Sequence, residues 1–238
     1  MNLILLSEDD LSGSGKCAVI TGRRHKHILE ILKSTPGDEL VVGVIDGNIG
    51  KGRIVAINDK SVEIEVILSK EPPHSVPGTL VLAMPRPIVF NRLLGHITAL
   101  GIKKIILIHS KRVEKSYWKS PVLKEENIRA QLILGLEQAK DTIVPDVSCR
   151  MKFKSFVENE LPCIVKGTRA FVAHPETKES IPCGLNGAFT LVIGPEGGFL
   201  PDEIDALKRA GCRCVSLGGR ILRVETAVVA ALSRLSSS

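Results

Sequence analysis

Residues 190–232, TLVIGPEGGFLPDEIDALKRAGCRCVSLGGRILRVETAVVAAL, hold two glycine-bearing turns, each directly after an apolar run. The first is Gly194-Pro195-Glu196-Gly197-Gly198 and the second is Leu217-Gly218-Gly219-Arg220-Ile221-Leu222-Arg223. A helix with clear borders lies between them. Pro201 suits a first helical position, and Asp202, Glu203 and Asp205 sit near the positive end of its dipole. Ile204, Leu207 and Ala210 form an inward stripe, Lys208 and Arg209 fall in the last turn, and Gly211 suits a left-handed cap. Strand, glycine turn, helix, repeated twice, predicts an α/β fold with a parallel sheet. Ligands of such sheets bind outside the carboxyl ends of the strands, where these turns lie.

Gly197 and Gly198 let a ligand approach the backbone, because no Cβ stands in the way. The alternative is that they only satisfy tight turns. A second glycine turn, followed by Arg220, Arg223, Glu225 and Thr226, shifts the balance toward a binding site.

GPEGG followed by LGGRILRVETA resembles the SPOUT class of S-adenosylmethionine-dependent RNA methyltransferases. The similarity is closest to the ribosomal RNA small subunit methyltransferase E family, which methylates N3 of a uridine in 16S ribosomal RNA. The likeness is strong over residues 191–227, moderate around 102–118 and at Glu137-Gln138, and weak elsewhere. It implies a C-terminal SPOUT-type α/β domain with a deep trefoil knot, a small N-terminal PUA-like β-barrel that binds RNA, and a homodimer. It implies S-adenosyl-L-methionine held by Ile193, Gly194, Pro195, Glu196, Gly197, Gly198, Leu217, Gly218, Ile221, Leu222, Arg223, Thr226 and Ala227. Two positions depart from the family pattern: Ala99 stands where a glutamate is common, and Asp141 where an arginine is common. Both leave the cofactor motifs intact and bear on the target nucleotide.

The 238 residues suffice for one large domain or two smaller ones. A net charge of +6 favours a polyanionic partner, while an aromatic content of only 3% argues against a base-stacking platform. The cysteines (Cys17, Cys149, Cys163, Cys183, Cys212, Cys214) form no C-x-x-C pair, which argues against zinc and for reduced thiols in a cytoplasmic protein. No apolar run is long enough to span a membrane.

Along the chain, strands are expected at 2–6, 39–45, 51–57 and 62–68, with a helix at 23–34 whose inner stripe is Ile28, Leu29, Ile31 and Leu32. His25 and His27, two apart, fall on different faces of that helix and make a poor metal pair. Arg23, Arg24 and Lys26 are candidate phosphate contacts. Gly13-Ser14-Gly15-Lys16 hints at a phosphate loop but fails it, because Asp10 and Cys17 stand where glycine and Ser/Thr are needed. The proline-rich stretch 69–78 reads as a linker and sets domains of 1–73 and 74–238. Beyond it come a strand at 79–84, a helix to Leu100, a strand at 104–109 and a basic loop. That loop holds Arg112, Lys115 and Lys119 around Tyr117 and Trp118 and suits single-stranded RNA. A long helix is expected over 123–139, and a polar loop over 175–185 precedes the first glycine turn.

On this reading the protein aligns a sulfonium methyl group with a uracil nitrogen and eases loss of the N3 proton. Arg223 is the first candidate for stabilising the uracil anion, Arg220 the second, and Glu196 a base or a turn-stabilising carboxylate. The partner is 16S ribosomal RNA or the small ribosomal subunit. The competing readings are a SPOUT enzyme with another RNA target and a non-catalytic RNA-binding relative.

Overall fold

The computed structural model describes residues 2–12 and 15–236. Gly13 and Ser14 of the rejected phosphate loop lie outside the described residues. The chain divides into two compact units, Met1–His74 with Leu132–Val144, and Ser75–Gln131 with Pro145–Ser238. One break falls at residue 74, and the first unit also takes in 132–144, for which no boundary signal stands in the sequence.

The first unit is built on strands β1 (Ile4–Leu6), β2 (Leu11–Ser12), β3 (Cys17–Thr21), β4 (Glu39–Val44), β5 (Ile49–Ile57) and β6 (Ser61–Lys70). Their order in one sheet is β1-β4-β5-β6-β3-β2. β1 pairs parallel with β4, and the other neighbours pair antiparallel. Apolar and polar residues alternate along β6, and buried and exposed positions alternate along β3, so one face is buried. Ile20, Val42, Ile54, Val62 and Ile64 fill that face with Ile28. The expected helix appears as α1 (Gly22–Lys26), which widens into a π-helical stretch, His27–Leu32. The wider turn changes which residues point inward. Ile28 stays buried, but Ile31 and Leu32 are 67% and 44% exposed and leave the expected stripe. A second apolar cluster joins Leu3, Leu5 and Ile49 to Leu136, with Ile133 and Val144 beside it. That cluster explains why 132–144 belongs to this unit.

The second unit carries β7 (Val76–Ala83), α2 (Pro87–Ala99), β8 (Ile102–Ile108), α3 (Glu125–Ala139, whose end lies in the first unit) and β9 (Asp146–Arg150). A helical run follows, α4 (Phe153–Ser155), a π-helical Phe156–Glu160 and α5 (Leu161–Val165). β10 (Arg169–Ala173), β11 (Phe189–Ile193), α6 (Pro201–Arg209), β12 (Arg213–Val215) and α7 (Val224–Leu235) complete it. The sheet order is β12-β10-β11-β7-β8-β9, and every neighbouring pair is parallel. β11 is buried along its whole length, as a central strand covered on both faces must be. The expected linker is shorter than its composition suggests, because β6 runs to Lys70 and β7 starts at Val76. Pro77 sits in β7 without cost to pairing, since the β7–β8 register shifts between Val76 and Thr79. The loop after β10 is not idle. Gly184 and Leu185 donate amide bonds to Arg234 and Leu235 at 2.7 and 2.9 Å, pinning the end of α7.

In the first unit, the Arg24 guanidinium donates to both carboxylate oxygens of Asp10 at 2.7 Å each. Burial alone would raise the Asp10 pKa, but the bonds from Arg24 and from the amide and hydroxyl of Ser7 outweigh it and hold the carboxyl below its ordinary 3.8. A folded pKa below the unfolded one stabilises above the unfolded value, and the gain is lost as pH falls through the folded value. Asp10→Asn should therefore lower the urea midpoint at about pH 6 and converge with the native chain once pH falls below the folded-state value. Parallel curves at both pH values would remove Asp10 from the acid limb.

Candidate functional site

The four neighbouring strands β12, β10, β11 and β7 end at one cavity of about 680 Å3. The turn after β7 and the first turn of α2 supply Arg86 and Val89, and the end of β10 with the residues after it supplies Ala173, His174 and Pro175. β11 and the first glycine turn supply Ile193, Gly194, Pro195, Glu196, Gly197, Gly198 and Phe199. The second turn and the start of α7 supply Leu217, Gly218, Arg220, Ile221, Leu222, Arg223, Val224, Glu225 and Ala227. The cavity lies where strand order reverses: β8 and β9 lie on one side of β7, and β11, β10 and β12 on the other. Its size suits a small-molecule ligand.

Local chemistry shapes each wall. The first turn closes when the Gly198 amide donates to the Pro195 carbonyl at 2.8 Å, with Gly198 at φ +71°. A side chain at Gly194 would approach the Phe199 ring to 3.2 Å, so this glycine makes room for packing. The Glu196 carboxylate accepts the Arg86 amide at 2.9 Å and ties the first turn to the start of α2. Glu203, only 2% exposed, accepts the Leu200 amide at 2.9 Å and the Lys111 amide at 2.8 Å. One buried carboxylate thus fixes both the end of the first glycine loop and the basic loop after β8. Lys111 also pairs with Asp202 at 2.7 Å, which raises the Lys111 pKa and lowers that of Asp202. The Arg112 guanidinium donates to the Gly197 carbonyl.

In the second turn, the Ser216 hydroxyl accepts the Gly218 amide at 3.1 Å, and Gly218 stands at φ +124°, where a Cβ is strained. Arg223 is the N-cap of α7, with ψ 154° and no side-chain capping bond. Cys212 lies just before β12; burial, with the added effect of Cys214, pushes its thiol up to about 12, so it supplies no thiolate. Among the described residues, no carboxylate forms an ion pair with Arg86, Arg220 or Arg223, although Glu196 and Glu225 share their cavity.

Of the residues expected at the cofactor, all but Thr226 meet in this cavity; Thr226 is exposed on the first turn of α7. Arg112, expected at the RNA, lies against the first turn. The expected stacking pair is partly committed elsewhere: Trp118 donates its indole N–H to His109 Nδ1 at 2.7 Å. In the first unit, Lys26 is exposed, and Arg23 donates to both oxygens of Glu137 at 2.9 and 2.7 Å. Arg24 is turned inward to Asp10 and the Leu5 carbonyl, which corrects its expected role as a phosphate contact. Sequence reading missed Arg86, Val89, His174 and Phe199 as wall residues. Arg86 carried a signal, since Pro85-Arg86-Pro87 marks the turn at the carboxyl end of a strand.

The RNA methyltransferase domain family matches residues 72–236, and the RNA methyltransferase PUA domain family matches residues 20–67. The chain is 31% identical to the ribosomal RNA small subunit methyltransferase E of Treponema pallidum, over 97% of this chain and 89% of that protein. Its fold is similar to the ribosomal RNA small subunit methyltransferase E of Neisseria gonorrhoeae solved bound to S-adenosyl methionine, with a TM-score of 0.74 at 21% identity, covering 98% of this chain and 95% of that one. A probable rRNA-methyltransferase from Porphyromonas gingivalis superposes with a TM-score of 0.76 at 21% identity, over the same 98% and 95%.

Glu203 makes the joint between the two loops testable. Glu203→Gln keeps one acceptor oxygen and turns an N–H2 toward amide donors, so one buried amide loses its partner. The expected cost is about 2 kcal/mol, or a melting temperature lower by roughly 4–8 °C for a chain of this size. Asp202→Asn, at an exposed pair, should shift it far less. Equal shifts for the two variants would show that the Glu203 joint carries no special weight.

Proposed function

The chain belongs to the ribosomal RNA small subunit methyltransferase E family, and from that membership we propose that it transfers a methyl group from S-adenosyl-L-methionine to N3 of a uridine in 16S ribosomal RNA. The observation that carries this reading is the meeting of both glycine turns with unpaired arginines in one cavity at the switch of the sheet. We propose further that the C-terminal part of this unit is threaded as a deep trefoil knot, a reading supported by the amide bonds that join Gly184 and Leu185 to Arg234 and Leu235. The first unit is read as the PUA-like barrel on the RNA side, with Arg23 and Lys26 as phosphate contacts and Arg112 nearer the target. The assembly is read as a cytoplasmic homodimer. Among the described residues no helix is long and apolar enough to cross a membrane, and no cluster of His, Cys, Asp and Glu suits a metal.

When bound, S-adenosyl-L-methionine supplies a methyl group made electrophilic by a sulfonium. The open approach at Gly198 and Gly218 and the breadth of the cavity fit that group. The backbones of 194–198 and 217–222 would hold it, and the walls would align the reactants, an effect worth about 7 kcal/mol or more in well-aligned reactions. Glu196, already accepting the Arg86 amide, positions the first turn rather than taking a proton. Arg223, a guanidinium that stays protonated, lowers the cost of the N3-deprotonated uracil and holds its carbonyl oxygens, with Arg220 beside it. The same cavity suits another RNA nucleotide, and Asp141 favours weighing that alternative: it is 4% exposed and its carboxylate accepts the Ile143 amide at 3.0 Å, so it stands inside a turn where the family commonly has an arginine.

Mass mapping of ribosomal RNA from a deletion strain tests the activity. One uridine of 16S RNA should lose 14 Da, and the purified chain should restore it. An unchanged 16S map rejects the target.

Arg223→Lys keeps a charge but loses the planar fork. Single-turnover methyl transfer should fall at least about 10-fold with cofactor affinity unchanged. Neither Glu196 nor Glu225 pairs with Arg223 among the described residues, so the melting temperature should hold. A lower melting temperature with undiminished turnover would make Arg223 structural.

Light scattering at micromolar concentration should give twice the mass of the 25.8 kDa chain. A monomer there ends the dimer proposal.

A further inference from the structure

We propose that Arg86 binds the phosphodiester next to the target nucleotide, so that the cavity grips RNA from the β7 side as well as from the second glycine turn. The inference rests on the methyl-transfer reading above. Arg86 is held unusually firmly for an exposed residue. Pro85 and Pro87 flank it, and a residue before proline is driven to extended backbone, here φ −50° and ψ 137°. Its amide donates to Glu196 at 2.9 Å, and the Met84 amide donates to the Ile108 carbonyl at 3.0 Å just upstream. The backbone is therefore anchored while the side chain lines the cavity with no carboxylate in ion-pair reach among the described residues.

Charge decides what that side chain is for. The cavity wall holds the guanidiniums of Arg86, Arg220 and Arg223 against the carboxylates of Glu196 and Glu225. The proposed cofactor adds a sulfonium and an ammonium against a single carboxylate, so it deepens the excess of positive charge. Like charges that share a cavity repel one another, and an anion entering it relieves that repulsion. An RNA strand brings a fixed anion on each side of the target base. Arg223 and Arg220 stand on the second glycine turn and serve the base in the reading above. Arg86 reaches the cavity from a different wall, and its planar fork matches two phosphate oxygens. The cofactor carboxylate offers the same anionic oxygens, so the test must separate the two sources.

Arg86→Gln keeps the backbone amide that Glu196 accepts, and with it the anchored turn. Calorimetry of the full-length variant should give S-adenosyl-L-methionine affinity within about 2-fold of the native chain, while affinity for a 16S ribosomal RNA transcript falls about 10-fold and the slope of log affinity against log salt shrinks by about one. Arg86→Lys should restore the slope, because the charge returns. A 10-fold loss of cofactor affinity with an unchanged salt slope would assign Arg86 to the cofactor carboxylate and overturn the proposal, and no change in either would also overturn it. Should the native chain bind the transcript without methylating it, and the slope still shrink for Arg86→Gln, the methyl-transfer reading fails and the phosphate contact stands.

Discussion

The parallel pairing of β7 with β11 is the constraint on which the rest of the site depends. It brings Phe189 beside Gly78 and Ile193 beside Leu82, segments more than a hundred residues apart in the chain. The pairing needs Gly78: a Cβ there would come within 2.5 Å of the Phe189 ring. β11 is buried throughout and β7 from Leu80 to Ala83, so no slip of register is tolerated without exposing apolar side chains. With β7 and β11 in place, the turn after one strand meets the turn after the other, and Glu196 can accept the Arg86 amide. The cavity is the space these paired strand ends leave.

Around that space two acids hold the frame, and within it the arginines face the ligand. Glu203 accepts two amides from two different loops, and Glu196 accepts one from a third. A carboxylate satisfied by backbone amides is a structural joint, and each joint is worth more in a buried place than on the surface. The guanidiniums of Arg86, Arg220 and Arg223 have no such partners among the described residues, so their charge is directed at whatever enters. One backbone-bound acid beside three arginines without ion pairs among the described residues favours a ligand pair that carries negative charge.

The first unit shows the reverse disposition. Its basic cluster, conspicuous in sequence, is partly tied down by acids: Arg24 is turned inward to Asp10, and Arg23, still 52% exposed, is bonded to Glu137, which is 1% exposed. Burial pushes the Glu137 carboxyl up and Arg23 pulls it back, the balance expected when a carboxylate is desolvated beside a cation that is itself half in water. Neither Asp10 nor Glu137 is near the cluster in sequence terms that a motif would register, so the count of basic residues overstated what is available to a phosphate.

The glycine turns, the borders of α6 and the apolar run of α7 were legible because they follow from local rules: where glycine permits a turn, where proline starts a helix, and which residues repeat at helical spacing. Those rules sufficed to mark Gly194–Gly198 and Leu217–Arg223 as one candidate site and to suggest its chemistry through a resemblance. What local rules could not supply is who faces whom. The short strands β2, β3 and β9 have little pattern of their own and exist because a longer neighbour pairs with them. The π-helical stretch moves Ile31 and Leu32 out of the stripe their spacing predicts. Residues 132–144 join the first unit through Leu136 and Thr142, and Arg86 and His174 join the cavity only because β7 and β10 end there. Sequence determines the local turns and helices; contacts between distant strands are settled by burial and register, which only the folded sheet expresses.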